Sequence, residues 1–117
     1  MAEFEIIFYD KADGTEPAKD FLLGLESKMR TKMLRAIHML EINGADLREP
    51  YSKPINEGIF ELRAQVGTDI SRVLYFFLIG RKAILTNGFI KKSQKTPINE
   101  IERAKRCRSE YLSREED

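Results

Sequence analysis

The run SRVLYFFLI, residues 71–79, constrains the fold most. It is nearly all apolar, so it reads as a central strand buried on both faces. Two further strand-like runs flank it. In IFELRAQV (59–66), Phe60, Leu62, Ala64 and Val66 alternate with Ile59, Glu61, Arg63 and Gln65. The third run is KAILTNGFI (82–90). Gly67-Thr68-Asp69 and Gly80-Arg81 join them, and a two-residue Gly-X loop suits a tight hairpin. The three runs therefore predict an antiparallel meander.

The rest of the chain must cover that meander. EFEIIFY (3–9) predicts a strand, with Phe4, Ile6 and Phe8 on one face and Ile7 and Tyr9 on the other. Thr15 is expected to cap a short helix with Pro17 in its first turn and Gly24 at its end. Ser27 is expected to cap a longer helix. Met29, Met33, Ala36, Ile37 and Leu40 recur on one side of it, and Asn43-Gly44 stops it. Residues 44–58 carry Gly44, Pro50, Pro54 and Gly58 and read as loop. A last helix is expected from Pro97 towards Leu112, capped by Thr96, with Ile98, Ile101, Ala104 and Tyr111 inward. The tail SREED should fray. The expected fold is α+β in the order β-α-α-β-β-β-α. An antiparallel sheet is packed by an N-terminal helical hairpin and a C-terminal helix.

At 117 residues the chain has the size of one domain, 1–117. Its one cysteine cannot form an internal disulfide, and its acidic N-terminus does not read as an export signal, so a cytoplasmic setting is expected. No apolar run approaches the length of a membrane span. The net charge of +1 hides an asymmetry. Residues 1–50 hold ten acids and seven bases, whereas residues 51–95 hold eight bases and three acids. A near-neutral chain with a basic half can bind a polyanion locally.

The basic half ends in ILTNGFIKKSQKTP (84–97), a strand that delivers Phe89 and then Lys91, Lys92 and Lys95 to one end of the sheet. Such a run is either a site for a phosphate backbone or a solvated turn. Register sharpens the choice. With Gly80-Arg81 as the loop, Ile79 pairs with Lys82 and Arg72 lies opposite Phe89. With a four-residue first turn, Arg72 faces Gln65, and Arg63 shares that face. Arg63, Arg72, Phe89 and Lys91 then converge, whereas a three-residue turn would reverse this parity for Arg63. Arg72 is a cation inside a run that should be buried, which is costly without a partner. It must pair with an acid such as Glu61, reach solvent, or receive an anionic ligand. His38 lies off the apolar stripe of its helix, with no nucleophile or acid partner in view. Cys107 reads as a small buried thiol.

Several chemistries have no counterpart here. There is no Cys/His metal spacing, no Gly-rich phosphate loop, no nucleophile elbow and no carboxylate pair. Neither a metal nor another cofactor is expected. Arginine and lysine can still catalyse RNA transesterification, because the substrate brings its own 2′-OH nucleophile. The protein aligns it and stabilises the charge of the phosphorane. A base stacked on Phe89 would splay the strand for in-line attack.

KPINEGIFELR (53–63), SRVLYFF (71–77), LTNGFIKKSQKTP (85–97), EIERAKR (100–106) and the helix end LEINGADL (40–47) occur in an order and spacing that resemble a known family. The chain resembles the RelE/HigB-type toxins of bacterial toxin–antitoxin modules, in their phage-derived branch. The resemblance covers nearly the whole chain. It implies a ribosome-dependent mRNA endonuclease that works without a metal, and a helix-turn-helix antitoxin as partner. It implies catalytic roles for Arg72, Lys91 and Lys92. RNA contacts are expected from Lys53, Arg63, Phe89 and Lys95. Some members carry a tyrosine base in the last segment, where this chain reads TPINEIER, and Tyr111 is too far along to fill that place. A toxin-like module that binds RNA or an antitoxin without cleavage is the alternative. A phage assembly protein would leave the basic cluster unexplained.

Overall fold

Each of the apolar runs becomes a strand of one sheet. The computed structural model describes residues 3–91 and 95–115. Among them the order is β1 (Glu5–Phe8), α1 (Pro17–Leu23), α2 (Ser27–Asn43), a 3-10 turn (Gly44–Asp46), β2 (Ser52–Asn56), β3 (Ile59–Val66), β4 (Asp69–Leu78), β5 (Lys82–Lys91) and α3 (Ile98–Glu115). The fold is α+β, with three α-helices and five strands among the described residues. The sheet order is β1-β5-β4-β3-β2.

Two expectations about the sheet need correction. It is mixed, not antiparallel throughout, because β1 runs parallel to β5 from Glu5↔Lys82 to Phe8↔Leu85. The helices between β1 and β2 carry the chain from one sheet edge to the other. No hairpin therefore dictates the direction of β1. Residues 52–56 also form a strand rather than loop, pairing antiparallel with β3. Pro54 is tolerated because β2 is an edge, where a missing N–H breaks no ladder. The two-residue turn Glu57-Gly58 has positive φ at both positions, the conformation that a tight hairpin requires.

The faces of the sheet follow the alternation in the sequence. Leu62, Ala64, Val73, Tyr75, Ala83 and Leu85 pack beneath α1 and α2 against Leu22, Met29, Met33, Ala36 and Leu40. On the other face Ile59, Leu74, Phe76 and Ile84 meet Ala104 and Cys107 of α3. Ile98, expected inward, is 70% exposed, since the inward face of α3 begins at Ile101. Gly44 ends α2 with φ +54, and a Cβ there would overlap the ring of Phe4. Glycine meets both demands.

Two of the hydroxyls expected to cap helices, those of Thr15 and Thr96, do other work, and Ser27 is the first residue of α2 rather than its cap. Glu16 and Glu26 precede α1 and α2 without a side-chain cap bond. Thr15 instead closes a local turn, its backbone N–H and hydroxyl both donating to Asp13 Oδ1 at 3.0 and 2.7 Å. The Pro97 carbonyl accepts the first backbone bonds of α3, from Glu100 at 3.1 Å and Ile101 at 3.3 Å. The tail is ordered further than expected. Ser113, Arg114 and Glu115 continue α3, and Arg114 donates to Asp10 Oδ1 at 2.9 Å and to Glu110 Oε2 at 2.8 Å. The last two residues of the tail lie outside the described residues. No helix among the described residues is long and apolar enough to cross a membrane.

Candidate nucleic-acid interface

The α3-facing side of the sheet changes character towards the end that carries Arg72. Arg63, Arg72 and Phe89 stand in one cross-strand row, with Arg63 opposite Arg72 and Arg72 opposite Phe89. Lys91 lies opposite Ile70 on the same face, one step nearer the end of β5. Lys53 of β2 lies opposite Glu61, again on this face. The convergence expected from the sequence is therefore present, but its register differs. The β3–β4 turn has two residues, Gly67-Thr68, so Arg72 faces Arg63 and not Gln65. Both turn lengths are even, which preserves the face.

Arg72 lies opposite Phe89 through two offsets that cancel. The β4–β5 loop has three residues, 79–81, and Leu78 rather than Ile79 pairs with Lys82. That loop alone would turn Phe89 away from Arg72. A bulge at Thr86 then shifts the register, so that Tyr75 pairs with Leu85 but Leu74 with Asn87. One unpaired residue re-aims everything beyond it. The Thr86 hydroxyl lies 3.1 Å from the Leu74 carbonyl and 2.6 Å from Asn87 Oδ1. Asn87 Nδ2 in turn donates to Glu100 Oε1 at 3.0 Å, fastening the bulge to the first turn of α3. A glycine within a strand pattern, Gly88, was the signal for this irregularity. A Cβ at Gly88 would overlap the ring of Phe21, so α1 approaches β5 closely here.

Arg72 is fully buried, at 0% exposure. Its Nη1 donates to the Lys95 carbonyl at 3.2 Å, and its Cζ lies 5.9 Å from the centre of the Phe89 ring. That separation is at the outer reach of a cation–π contact. Burial pushes the Arg72 pKa down, the Glu61 carboxylate opposes that fall, and Arg63 adds to it. Glu61, also at 0% exposure, is the anion that holds this end together. It accepts from Arg63 Nε at 2.6 Å and from the Thr96 hydroxyl at 2.5 Å. Thr96, expected to cap α3, thus binds the chain after β5 to the sheet. The sequence marks Thr96 only as a cap and assigns Thr86 and Asn87 no role, because their bonds to Glu61, Leu74 and Glu100 reach other elements.

The cations differ in access. Lys53, Lys91 and Lys95 are exposed, and the Arg63 side chain is 17% exposed. Phe89 is half-buried, with one neighbour already the Arg72 guanidinium. Lys92 lies outside the described residues. Tyr111 is remote from the row; it packs against Tyr9 and Phe76 under α3. Cys107 is buried as expected, and burial pushes its thiol pKa up. His38 is exposed beside Glu41.

A family model described as phage-derived protein Gp49-like (DUF891) matches residues 20–109. The chain belongs to this family. The match takes in the whole row, its lysines and most of α3, and leaves β1 outside. No curated protein matches the chain.

Proposed function

We propose that this member of the Gp49-like family is the toxin of a type II toxin–antitoxin module, of the RelE/HigB type, and that it cleaves mRNA on the ribosome. The observation that carries the proposal is the row Arg63–Arg72–Phe89 with Lys91 beside it. Exposed Lys53, Lys91 and Lys95 bind the phosphate backbone. Arg72, with Lys91 and Lys92, stabilises the charge that builds on the scissile phosphate as the 2′-OH attacks. Arg72 meets RNA only if its Nη1 exchanges the Lys95 carbonyl for a phosphate oxygen. The exchange is favourable in kind, since an anionic acceptor makes a stronger hydrogen bond than a neutral carbonyl. A helix-turn-helix antitoxin is the expected partner.

The full burial of Arg72 favours a second reading, a toxin-like module that binds RNA or its antitoxin without cutting. One experiment separates the two. Wild type, Lys91→Ala and the double variant Arg72→Ala/Lys91→Ala are induced in cells, and mRNA 5′ ends are mapped. The nuclease reading expects codon-registered cuts with wild type, fewer with Lys91→Ala and none with the double variant. Lys91 is exposed, so its truncation leaves the fold intact and isolates the chemistry. Uncut message in the wild type overturns the nuclease reading. Slowed growth without cuts would then identify a binding module.

A further inference from the structure

Beside the row, α2 and the adjoining ends of β3 and β4 line a pocket of about 630 Å³. That volume lies within the roughly 300–1,000 Å³ typical of small-ligand sites. Lys32 and Arg35 of α2 and Arg63 of β3 line it, against a single carboxylate, Glu49. The excess of positive charge favours an anion. Tyr51 and Pro50 supply a planar and an apolar wall, with Ala64 and Ile70 nearby. A bare phosphate would leave that wall unused. A nucleotide has both an anionic and a flat aromatic part.

The backbone fixes these groups in relation to one another. The Arg63 N–H donates to the Tyr51 carbonyl at 2.9 Å, which sets the aromatic residue beside the arginine. The Lys32 ammonium donates to the Gln65 carbonyl at 2.9 Å and ties α2 to the end of β3. Arg63 belongs to both places: its Nε is held by Glu61 beside the row, and the residue is also among those that line the pocket. A single strand lying on the row would reach the pocket at Arg63.

We infer that this pocket is a nucleotide subsite. It takes one unstacked nucleotide of the RNA strand that lies on the row, its phosphate held by Arg35 and Arg63 and its base against Tyr51. The inference rests on the RNA-directed reading above, and adds to it a place where a neighbouring base is gripped. Aromatic side chains bind unstacked bases in this way, and a guanidinium matches phosphate geometry.

The test titrates 2′-O-methyl hexa-adenylate, which lacks the 2′-OH nucleophile, into isotope-labelled full-length protein and follows the backbone amides. With wild type, the amides of Tyr51, Ala64 and Gln65 should shift together with those of the row. Arg35→Glu should weaken binding by about tenfold or more, since a charge-assisted bond to phosphate becomes a repulsion. Lys28→Glu makes the same charge change on α2 away from the pocket and should weaken it far less. Tyr51→Leu keeps an apolar wall but removes the ring, and should weaken binding with its Arg35 contact intact. Shifts confined to Phe89, Lys91 and their neighbours, with Arg35→Glu equal to Lys28→Glu, would overturn the subsite and leave the RNA reading standing. A hexaglutamate peptide that moves the pocket amides as strongly as the oligonucleotide would overturn it in favour of an acidic protein segment. No binding by the wild type would overturn the subsite, whereas the mapped 5′ ends decide the nuclease reading separately.

Discussion

Beneath α1 and α2 the sheet presents Leu62, Val73, Tyr75 and Leu85, whereas the same strands turn Glu61, Arg63, Arg72 and Asn87 towards the side of α3. On the hairpin side the polar groups are few: the Tyr75 hydroxyl lies 2.5 Å from the Ser52 hydroxyl, and the Ser71 hydroxyl donates to the Ala64 carbonyl at 3.2 Å. On the α3 side, two carboxylate bonds from Glu61 hold an arginine of the row and the segment that leads into α3. The hairpin face is held by shape and the basic end by charge compensation. A close-packed face resists added volume. A compensated face resists the loss of a single partner.

The largest effect should come from removing the shared anion. Glu61→Ala should cost about 3–5 kcal/mol, because it leaves buried cations without their carboxylate. Urea unfolding measures it. A loss below about 1 kcal/mol would mean that Glu61 does not hold this end together.

The hairpin face should show its own exception at alkaline pH. Burial pushes the Tyr75 pKa up to about 12. A phenol whose pKa is raised in the fold contributes stability that is fully present below pH 10. That contribution is lost as pH rises through the folded value. Between about pH 10 and 12 the wild type should therefore lose about 2–3 kcal/mol through Tyr75. Tyr9, whose pKa burial also raises to about 12, adds to the loss. Tyr75→Phe should flatten the curve of unfolding free energy against pH, leaving the share of Tyr9. An unchanged slope would contradict it.

The smallest effect is steric. Gly88→Ala pushes a methyl group into Phe21 and should cost about 1–3 kcal/mol. Adding Phe21→Leu should restore part of that loss, since the two sites share one contact. If the double variant is no better than the sum of the singles, the hairpin face is not governed by fit.

These faces were not equally legible in the sequence. The hairpin face was readable because burial imposes a period: the stripe on α2 and the alternation in β3 named their own inward residues. Phe60 and Leu62 point where alternation put them, and Cys107 is buried as its place on α3 required. The basic end depended on long-range pairing, which leaves little local trace. Glu61 stood out only as one acid available to Arg72; that it would grip Arg63 and Thr96 could not be read from spacing. Thr15 and Thr96 had the chemistry of helix caps and found nearer carboxylates instead. Pro54 hid β2, because a proline argues against a strand until the strand is known to be an edge. The parallel pairing of β1 followed from the sheet order, which no local pattern carries.

The unpaired residue Thr86 has a consequence for how such a chain can vary. It divides β5 into two lengths whose phases are set separately. The length from Lys82 to Leu85 answers to the core, and the length from Asn87 to Lys91 answers to the basic end. Deleting Thr86 would close the bulge and leave Asn87 opposite Leu74 and Phe89 opposite Arg72, so both lengths would keep their faces. Pairing Thr86 with Leu74 would instead set Gly88 opposite Arg72 and turn Phe89 and Lys91 beneath the helical hairpin. The pairing state of this one residue thus decides what the face offers to a ligand, while the interior built on the first length stays as it is.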